Sequence, residues 1–423
     1  MGASPRRLGA SRSRPFLRAV PLAVLCAIVA AAVLARRAPE RTVTTSGASS
    51  SIGGPAVDAP RAHVTPPKAD VPPGAPRMLH GGPRRAHRAA ARGPRSPNVG
   101  WRVRLDGPVA AQVTTSPDES TLYAATLGGS VVALSRVDGS RQWSASLGDR
   151  VYTAPLVHSD GTLYVGTDAK KLVALTPKGE IAFRLETEGE VDTGAAFGQD
   201  GSIVFGAGKF VYAARRGGDL AWRFAAKGKV YTAPAVTADG LVVFGSQDHH
   251  VHAVGPAGAL AWSFDLGVDV DGSPAIADDG SIYVGTDAGD VVKVGAQGVV
   301  WRAAVGGFVR GSLSIARNGD VIVGTYGPVP RLVRVAPDGG VQRIFSIRGT
   351  GAREFGIHGG PVEDEDGNLY FGAQDDAVYA ISGGGALRWR FETGGDVDGP
   401  LTLLSDGSLV VPSEDGTVTL LLP

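Results

Sequence analysis

DGTLYVGTDAKKLVALTPKGEIAF, residues 160–183, is the stretch that decides the fold. Asp160-Gly161 predicts a tight turn, because glycine tolerates positive φ and aspartate bonds its own backbone. β-branched and apolar runs predict strands at 162–165, 171–175 and 181–185, with turns at 166–170 and 177–179. The stretch belongs to a unit of about 40 residues that is predicted to fold as a four-stranded antiparallel meander.

This unit occurs eight times along the chain. Clear copies begin at Asp200, Asp239, Asp279, Asp366 and Asp406, and looser copies begin at Asp118 and Asn318. A large aromatic residue closes each unit and recurs every 39 to 44 residues, and all six tryptophans of the chain lie on this register. The closing aromatics are Trp101, Trp143, Phe183, Trp222, Trp262, Trp301, Phe345 and Trp389. A period near 40 residues with four short strands per unit predicts an all-β fold, the β-propeller.

The two ends of the repeat series determine the number of blades. Trp101 has no strands before it, so residues 100–105 form an isolated fourth strand, whereas residues 417–421 form a third strand with no aromatic after it. We predict that the first strand completes the last blade, which gives an eight-bladed propeller without an open sheet edge at the seam. The closing aromatics are expected to wedge between adjacent blades, and removing one tryptophan should cost ~3–5 kcal/mol.

The spacing A-x-x-x-x-G-x-x-x-W occurs at residues 213–222, 253–262 and 380–389, and with one added residue at 133–143. This spacing resembles the tryptophan-docking repeat of the PQQ-like, or quinoprotein-type, propellers, and the similarity covers residues 99–423. It looks closest to the non-enzymatic branch, which includes the propeller lipoprotein of outer-membrane assembly. WD40 propellers are the main rival, but no Trp-Asp pair ends a strand here.

Residues 1–35 are interpreted as a signal peptide or an N-terminal membrane anchor. Five arginines and no acid precede an uncharged, alanine-rich run at 19–35, and Arg36-Arg37 follows it. Small residues at 30–32 allow cleavage, whereas the basic pair behind the apolar run favours an uncleaved anchor. More basic charge lies before the run than directly after it, which predicts an extracytoplasmic propeller, periplasmic and either exported or tethered to the inner membrane.

Two further features concern the region before the propeller. Cys26 is the only cysteine, and Leu25 stands before it where a lipoprotein signal needs a small residue, so lipid attachment is not expected. Residues 36–97 hold 11 prolines in 62 residues without hydrophobic periodicity, which predicts a disordered linker before a propeller at 98–423.

Charge is distributed unevenly between the ends of the chain. Residues 1–97 contain 16 Lys and Arg against 3 Asp and Glu, so of the 42 basic and 41 acidic residues in total, the propeller keeps 26 and 38. The basic end suits anionic lipid headgroups. The acidic propeller argues against nucleic-acid binding, which requires a basic face.

A second repeated phrase, Val-x-(Thr/Gly), precedes the innermost strand of most blades. Its variable middle residue supplies one side chain per blade, so these residues are expected to form a ring around one mouth of the central channel. The ring consists of Ala110, Tyr152, Asp192, Tyr231, Asp271, Arg310, His358 and Asp398. They are either turn residues that bond local backbone, or a binding site built from convergent polar groups.

One side of the ring is the preferred candidate face. Four ring residues from consecutive blades are expected to form an arc of mixed charge: Asp271, Arg310, His358 and Asp398. The longest loop, residues 346–356, enters beside this arc and carries Arg348, Arg353 and Glu354. Excess loop length often carries function, which favours this side.

Catalytic and metal sites are not predicted. His249, His250 and His252 are interpreted as a solvated turn because adjacent strand residues point to opposite faces, and the DVDG run at 269–272 lacks the remaining ligands of a calcium loop. PQQ-dependent enzymes commonly pack the quinone with a Trp and a disulfide of adjacent cysteines; here every Trp is on the blade register, and Asp192, Asp271 and Asp398 offer only acids.

We therefore expect a monomeric, non-catalytic binding scaffold of the cell envelope with a protein partner, without a cofactor. Residues 19–35 would add a membrane contact if they are not cleaved. Two alternatives stay open: a dehydrogenase-like quinoprotein that holds PQQ with calcium, and a small-ligand sensor that uses the channel mouth.

Overall fold

The structure is a computed structural model that describes residues 79–352 and 355–423. This part of the chain forms eight four-stranded antiparallel sheets, which confirms the eight-bladed all-β propeller. We number the strands β1 to β32 along the chain and name their positions A (innermost) to D (outer) within each blade. One 3-10 turn, Leu79–Gly81, precedes them.

The A strands have two residues each: β2 (Thr114–Thr115), β6 (Leu156–Val157), β10 (Ala196–Phe197), β14 (Ala235–Val236), β18 (Ala275–Ile276), β22 (Ser314–Ile315), β26 (Val362–Glu363) and β30 (Thr402–Leu403). The B strands are β3 (Thr121–Ala125), β7 (Leu163–Thr167), β11 (Ile203–Ala207), β15 (Val242–Gly245), β19 (Ile282–Gly285), β23 (Val321–Gly324), β27 (Leu369–Ala373) and β31 (Leu409–Pro412).

The C strands are β4 (Ser130–Ser135), β8 (Lys171–Leu175), β12 (Phe210–Ala214), β16 (His250–Val254), β20 (Asp290–Gly295), β24 (Arg331–Val335), β28 (Ala377–Ile381) and β32 (Thr417–Leu422). The D strands are β5 (Arg141–Ser146), β9 (Ile181–Glu186), β13 (Leu220–Ala225), β17 (Leu260–Asp265), β21 (Gly298–Ala304), β25 (Val341–Ser346), β29 (Leu387–Glu392) and, for the last blade, β1 (Asn98–Arg104).

The core lies between the blades. The B strands are buried along nearly their whole length, and the C strands at most positions, because neighbouring blades cover both faces of each sheet. The sequence shows this as continuous apolar runs rather than alternating ones. The D strands alternate between exposed and half-buried residues, as expected for a sheet edge that faces solvent.

The seam is closed as predicted from the ends of the repeat series. β1 pairs antiparallel with β32, so that Trp101 lies opposite Leu420. Blades 1 and 8 are also joined at the channel, where Gln112 Nε2 donates to Leu401 O at 3.2 Å and Thr402 Oγ1 donates to Val113 O at 2.5 Å. The ring is therefore continuous, and both chain ends of the propeller lie in one blade.

The closing aromatics lie on the D strands and reach across to the next blade. Trp143 Nε1 donates to Pro177 O at 3.0 Å, and its ring covers Gly179, whose φ of +82° a side chain would rarely adopt. In five blades an alanine on the paired C strand stands opposite the aromatic, as at Ala213 and Trp222. In the other three blades this place is taken by Lys293, Leu332 and Leu420. The alanine of the A-x-x-x-x-G-x-x-x-W spacing thus leaves space for the tryptophan of its own blade, which stands opposite it. The glycine lies in the turn that is covered by the aromatic ring of the preceding blade.

The structure differs from the linker prediction over residues 79–97, which are ordered against the propeller. Residues 79–92, called the plug below, fill the channel at the mouth formed by the A–B turns, called the closed mouth. A-strand N–H groups of four consecutive blades donate to plug carbonyls: Val236 to Pro83, Ile276 to Arg84, Ile315 to Ala86 and Glu363 to His87. The segment lacks apolar periodicity because hydrogen bonds to open strand edges order it, rather than burial of an apolar face.

Ion pairs fasten the plug to the A–B turns. The Arg88 guanidinium donates to both carboxylate oxygens of Asp278 at 2.9 and 3.0 Å, and Arg92 pairs with Asp366 at 3.1 Å. The chain then leaves along the last two blades, where Trp389 Nε1 donates to Pro94 O at 2.9 Å. Pro94 supplies the carbonyl that a C–D turn supplies elsewhere, because strands C and D of the last blade are not joined covalently.

The predicted apolar segment at 19–35 and most of the predicted linker lie outside the described residues. Within residues 79–352 and 355–423, no helix has the length and apolar character needed to span a membrane.

Candidate functional site

The ring residues lie at the other mouth of the channel, called the ring mouth, which is formed by the D–A connections and the B–C turns. The apolar residue before each ring residue fixes the position of the connection. Val270 packs against Gly245 so closely that a Cβ on this glycine would lie 2.4 Å from the valine side chain. The same contact joins Val191 to Gly166 and Val397 to Gly372. Six of the eight ring residues are therefore held in place by a preceding apolar residue that packs against a B-strand glycine, which is Ile357 before His358 and a valine in the other five.

The polar ring residues bond side chains on the neighbouring B–C turns. Arg310 donates to both carboxylate oxygens of Asp287 at 2.9 and 2.8 Å. Gln247 Nε2 donates to Asp271, and Gln374 Nε2 donates to Asp398, each at 3.3 Å. The Tyr326 hydroxyl, also on a B–C turn, contacts His358 Nδ1 at 2.5 Å. The two ring tyrosines instead contact residues of their own D–A connections: Lys229 Nζ donates to the Tyr231 hydroxyl at 3.1 Å, and Arg150 lies over the Tyr152 ring.

Sequence reasoning missed these B–C turn residues. Gln247, Asp287 and Gln374 each precede their ring residue by 23 or 24 positions. This constant offset is visible once the repeats are aligned on their tryptophans. The ring mouth thus has two layers of polar side chains, the ring residues and the B–C turn residues. Arg310, Asp271 and Asp398 bond turn side chains rather than only local backbone.

Carboxyl groups at the ring mouth are poorly hydrated. Burial, followed by the charge of Asp287, raises the pKa of Asp271 to about 6. Burial and the charge of Asp398 raise the pKa of Asp396 to about 7. Burial also raises the pKa of Glu414, helped by the same neighbouring carboxylates. Removing water from a carboxylate disfavours its charged form, so the mouth holds negative charge at a cost that a basic group would relieve.

A separate pocket of about 190 Å³ opens between two blades at the same mouth. It is lined by Lys170, Glu190, Asp192, Lys229 and Tyr231 among others. Burial and a hydrogen bond with Asp168 raise the pKa of Asp192, so this carboxyl keeps its proton to a higher pH than an exposed one would. Its mixture of ammonium and carboxyl groups suits a small polar ligand.

The predicted arc of mixed charge is present only in part. Asp271 and Arg310 are linked through Asp287, which pairs with the guanidinium and acts on the pKa of Asp271. The loop at 346–356 does reach the mouth, because Gly356 N donates to Gln374 Oε1 at 2.9 Å. Arg353 and Glu354 lie outside the described residues.

Only two of the three histidines come together: the rings of His250 and His252 stack with 5.6 Å between their centroids. His252 is buried and lies 3.1 Å from both carboxylate oxygens of Asp248, whereas His249 faces Asp269 at 3.4 Å. The structure therefore differs from the prediction of a solvated turn at His252, which packs against Phe244. In the described part of the chain, no group of three or more His, Cys, Asp or Glu residues is arranged to hold a metal ion.

The closed mouth contains polar residues that sequence reasoning did not select. His80, Arg85 and His87 of the plug are each at most 2% exposed. Arg85 Nε donates to Pro234 O at 2.9 Å, and His87 Nε2 lies 3.1 Å from Leu401 O. Burial lowers the pKa of His87 to about 4 and that of His80 well below its ordinary value. No sequence signal distinguished them, since they lie in a stretch whose composition predicts disorder.

Comparison with known proteins agrees with this architecture. The family model described as outer membrane protein assembly factor BamB matches residues 86–239 and 247–344, more than half of the chain. No curated protein matches the chain in sequence.

Two solved structures show the same fold. BamB from Moraxella catarrhalis has a TM-score of 0.62 at 21% identity, covering 76% of this chain and 96% of that one. The computationally designed Ika8 protein has a TM-score of 0.62 at 16% identity, covering 77% of this chain and 100% of that one. The family match confirms the resemblance found in the repeat: the chain belongs to the family of outer membrane protein assembly factor BamB, the PQQ-like repeat propellers.

Proposed function

We propose that this protein is a non-catalytic binding scaffold of the cell envelope that acts in protein assembly and docks a protein partner at the ring mouth. The observation that carries the proposal is the set of buried carboxyl groups at that mouth. Asp271 uses one carboxylate oxygen to accept from Gln247, while the other is buried and has no partner among the described residues. A buried acceptor without a donor is costly and favours a partner that brings one.

The electrostatics favour a partner with basic side chains. The propeller carries 38 acidic against 26 basic residues, and the acids at the ring mouth have raised pKa values. A lysine or arginine from a partner would replace lost hydration and return these carboxyl groups to their charged form. At the closed mouth, the plug already occupies the A-strand N–H groups of four blades.

Site-specific photo-crosslinking in the envelope tests this proposal. Probes at Tyr231 and His358 on the ring mouth should capture one partner, and probes at Asp160 and Asp279 on the A–B turns should not. The double substitution Asp271→Lys with Asp398→Lys should abolish capture from His358, with a melting temperature that confirms folding. Equal capture from both mouths, or capture that survives the double substitution, would contradict the proposal.

Recognition of a small ligand at the ring mouth is a second candidate. The pocket beside Asp192, with its lysines and carboxyl groups, favours it. The experiment is to screen amino acids and short peptides against the full chain by thermal shift. A stabilising ligand whose effect is lost in Lys229→Met, but kept in Lys293→Met, would favour this candidate over the scaffold.

The cellular placement is also part of the proposal. The basic residues before the apolar run at 19–35 support an extracytoplasmic propeller, tethered to the inner membrane or exported. A reporter enzyme that works only outside the cytoplasm, fused after Pro423, should be active. Activity of a cytoplasm-specific reporter at the same position would contradict this placement, and the mass of the mature protein would separate the anchor from the cleaved signal.

A further inference from the structure

The plug buries a positive charge that has no counter-charge in the described structure. Arg85 is 1% exposed. Its Nε donates to Pro234 O at 2.9 Å and its Nη2 to Gly194 O at 3.4 Å, but its Nη1 has no partner among the described residues. Burial lowers the pKa of Arg85 to about 9, which still leaves the side chain charged at neutral pH. Buried charges in proteins are paired, because an isolated ion in the interior costs several kcal/mol.

A second group with free hydrogen-bonding capacity lies nearby. His80 is 1% exposed, and neither ring nitrogen has a hydrogen-bond partner in the described part of the chain. Its main-chain N–H is used by Gln112 Oε1 at 2.9 Å, so the backbone is fixed while the ring is not satisfied. The charges of His87, Arg85 and His358 act on His80, and the His80 ring lies against Gly360.

The remaining neighbours leave the donors without an acceptor. The ring of His87 stands edge-on to His80 with 4.4 Å between centroids, and its Nε2 is already 3.1 Å from Leu401 O. Arg84 and Arg88, on either side of Arg85 in the chain, both pair with Asp278 at the surface. No ion pair links Arg85 to a carboxylate in residues 79–352 and 355–423.

We propose that the channel holds one small inorganic anion of the halide class beside the Arg85 guanidinium. The anion supplies the charge that the buried guanidinium lacks and accepts from Nη1. A halide is favoured over phosphate or sulfate because a monovalent ion loses less hydration free energy on burial, and because the surrounding side chains are almost fully buried. The site is structural: it couples the plug to the innermost strands through Pro234 and Gly194.

Thermal unfolding of the full chain in sodium chloride, sodium bromide and sodium gluconate at equal ionic strength tests the site. Chloride and bromide should raise the melting temperature by several degrees over gluconate, because binding to the native state stabilises it. Arg85→Met should remove this difference and should melt in gluconate no lower than the unsubstituted protein. Arg84→Met, which breaks only an exposed ion pair, should keep the halide effect.

Each other outcome overturns the proposal. Equal melting in all three salts would mean that water or a carboxylate from the rest of the chain satisfies Arg85. An Arg85→Met variant that is equally destabilised in every salt would mean that the two carbonyl bonds are the whole role of the side chain. If this variant does not fold, crystals of the unsubstituted protein grown in bromide decide the question: an anomalous peak beside Nη1 supports the site, and its absence removes it.

Discussion

At the closed mouth the chain supplies its own plug, whose carbonyls use the N–H donors of four A strands. At the ring mouth each blade instead presents a side chain against a B–C turn, and buried carboxyl groups collect there. At the closed mouth, backbone hydrogen bonds to the plug satisfy the strand edges of four blades. At the ring mouth, carboxylate oxygens such as those of Asp271 and Asp398 can still accept hydrogen bonds from another molecule. Although the eight blades have the same architecture, the plug therefore makes the two mouths of the channel chemically different.

The two mouths also respond to pH with opposite signs. Buried histidines of the plug have lowered pKa values, so they bind protons more readily in the unfolded chain, and stability falls as the pH drops below 6.5. Buried carboxyl groups of the ring mouth have raised pKa values, so they bind protons more readily in the folded chain, and stability falls as the pH rises above 4.

Removing the strand that anchors the plug should have the largest effect. Deletion of residues 99–106 removes nearly all of β1, leaves β32 as an open edge and frees the plug from its attachment. We expect loss of cooperative unfolding or a melting temperature lower by more than ~10 °C, since a shift of 1 kcal/mol moves a large domain by about 2–4 °C. A deletion variant that melts like the full chain would show that neither the seam nor the plug holds the ring.

Trp389 should be the most sensitive of the closing aromatics. It is 7% exposed and bonds Pro94 just beyond the plug, whereas Trp143 is half-buried over an ordinary C–D turn. Chemical denaturation should give a loss of ~3–5 kcal/mol for Trp389→Ala and roughly half of that for Trp143→Ala. Equal losses would mean that the hydrogen bond from Trp389 to Pro94 adds nothing to stability.

The acid sensitivity of the closed mouth should depend on His87. Its pKa is about 4 in the folded chain against an ordinary 6.5, so protonation of the unfolded chain costs about 3 kcal/mol of stability between these pH values. The difference in unfolding free energy between the unsubstituted protein and His87→Gln should therefore fall by this amount on acidification. A constant difference across that range would exclude His87 as the titrating group.

The smallest effect is expected at the ring mouth. Asp271→Asn should stabilise the protein above pH 6 by about 1–2 kcal/mol, a value reduced for hydration at the open mouth, and should have no effect below pH 4. Asp279→Asn on the A–B turn is the matched control, because hydrogen bonds from Ser281 lower the pKa of that carboxyl. The control should be neutral or destabilising at high pH, and a stabilising effect there would show that removal of any acid suffices.

The sequence predicts the blades well because one physical requirement repeats. In five blades an alanine stands beside the closing aromatic, as Ala253 does beside Trp262. A turn glycine of the next blade can lie under the aromatic, as Gly258 does under Trp222. The ring positions could be predicted for the same reason, since an apolar residue precedes each of them and packs against a B-strand glycine in six blades.

The plug could not be predicted in this way. The segment around Arg85 is rich in proline, alanine and arginine, a composition typical of a disordered spacer. Composition indicates only how much apolar surface a segment can bury by itself. The plug is ordered by donors on strands that lie 150 to 280 residues further along the chain, such as Val236 and Glu363. The role of B–C turn residues such as Gln247 could not be predicted for a related reason. A polar residue in a turn is common, and its role depends on the ring residue that it contacts, here Asp271.

The pairing of β1 with β32 also imposes an order of events on folding. β1 is synthesised before any complete blade, yet its partner strand, Thr417–Leu422, follows the strands of all the other blades. Pairing across such a distance is slow, because the chain must close a very long loop before the contact stabilises it. Blades 1 to 7 can each form from contiguous chain, but the ring can be closed only after β32 has been made. A chain that stops before β32 would therefore retain unpaired strand edges, which are prone to aggregation.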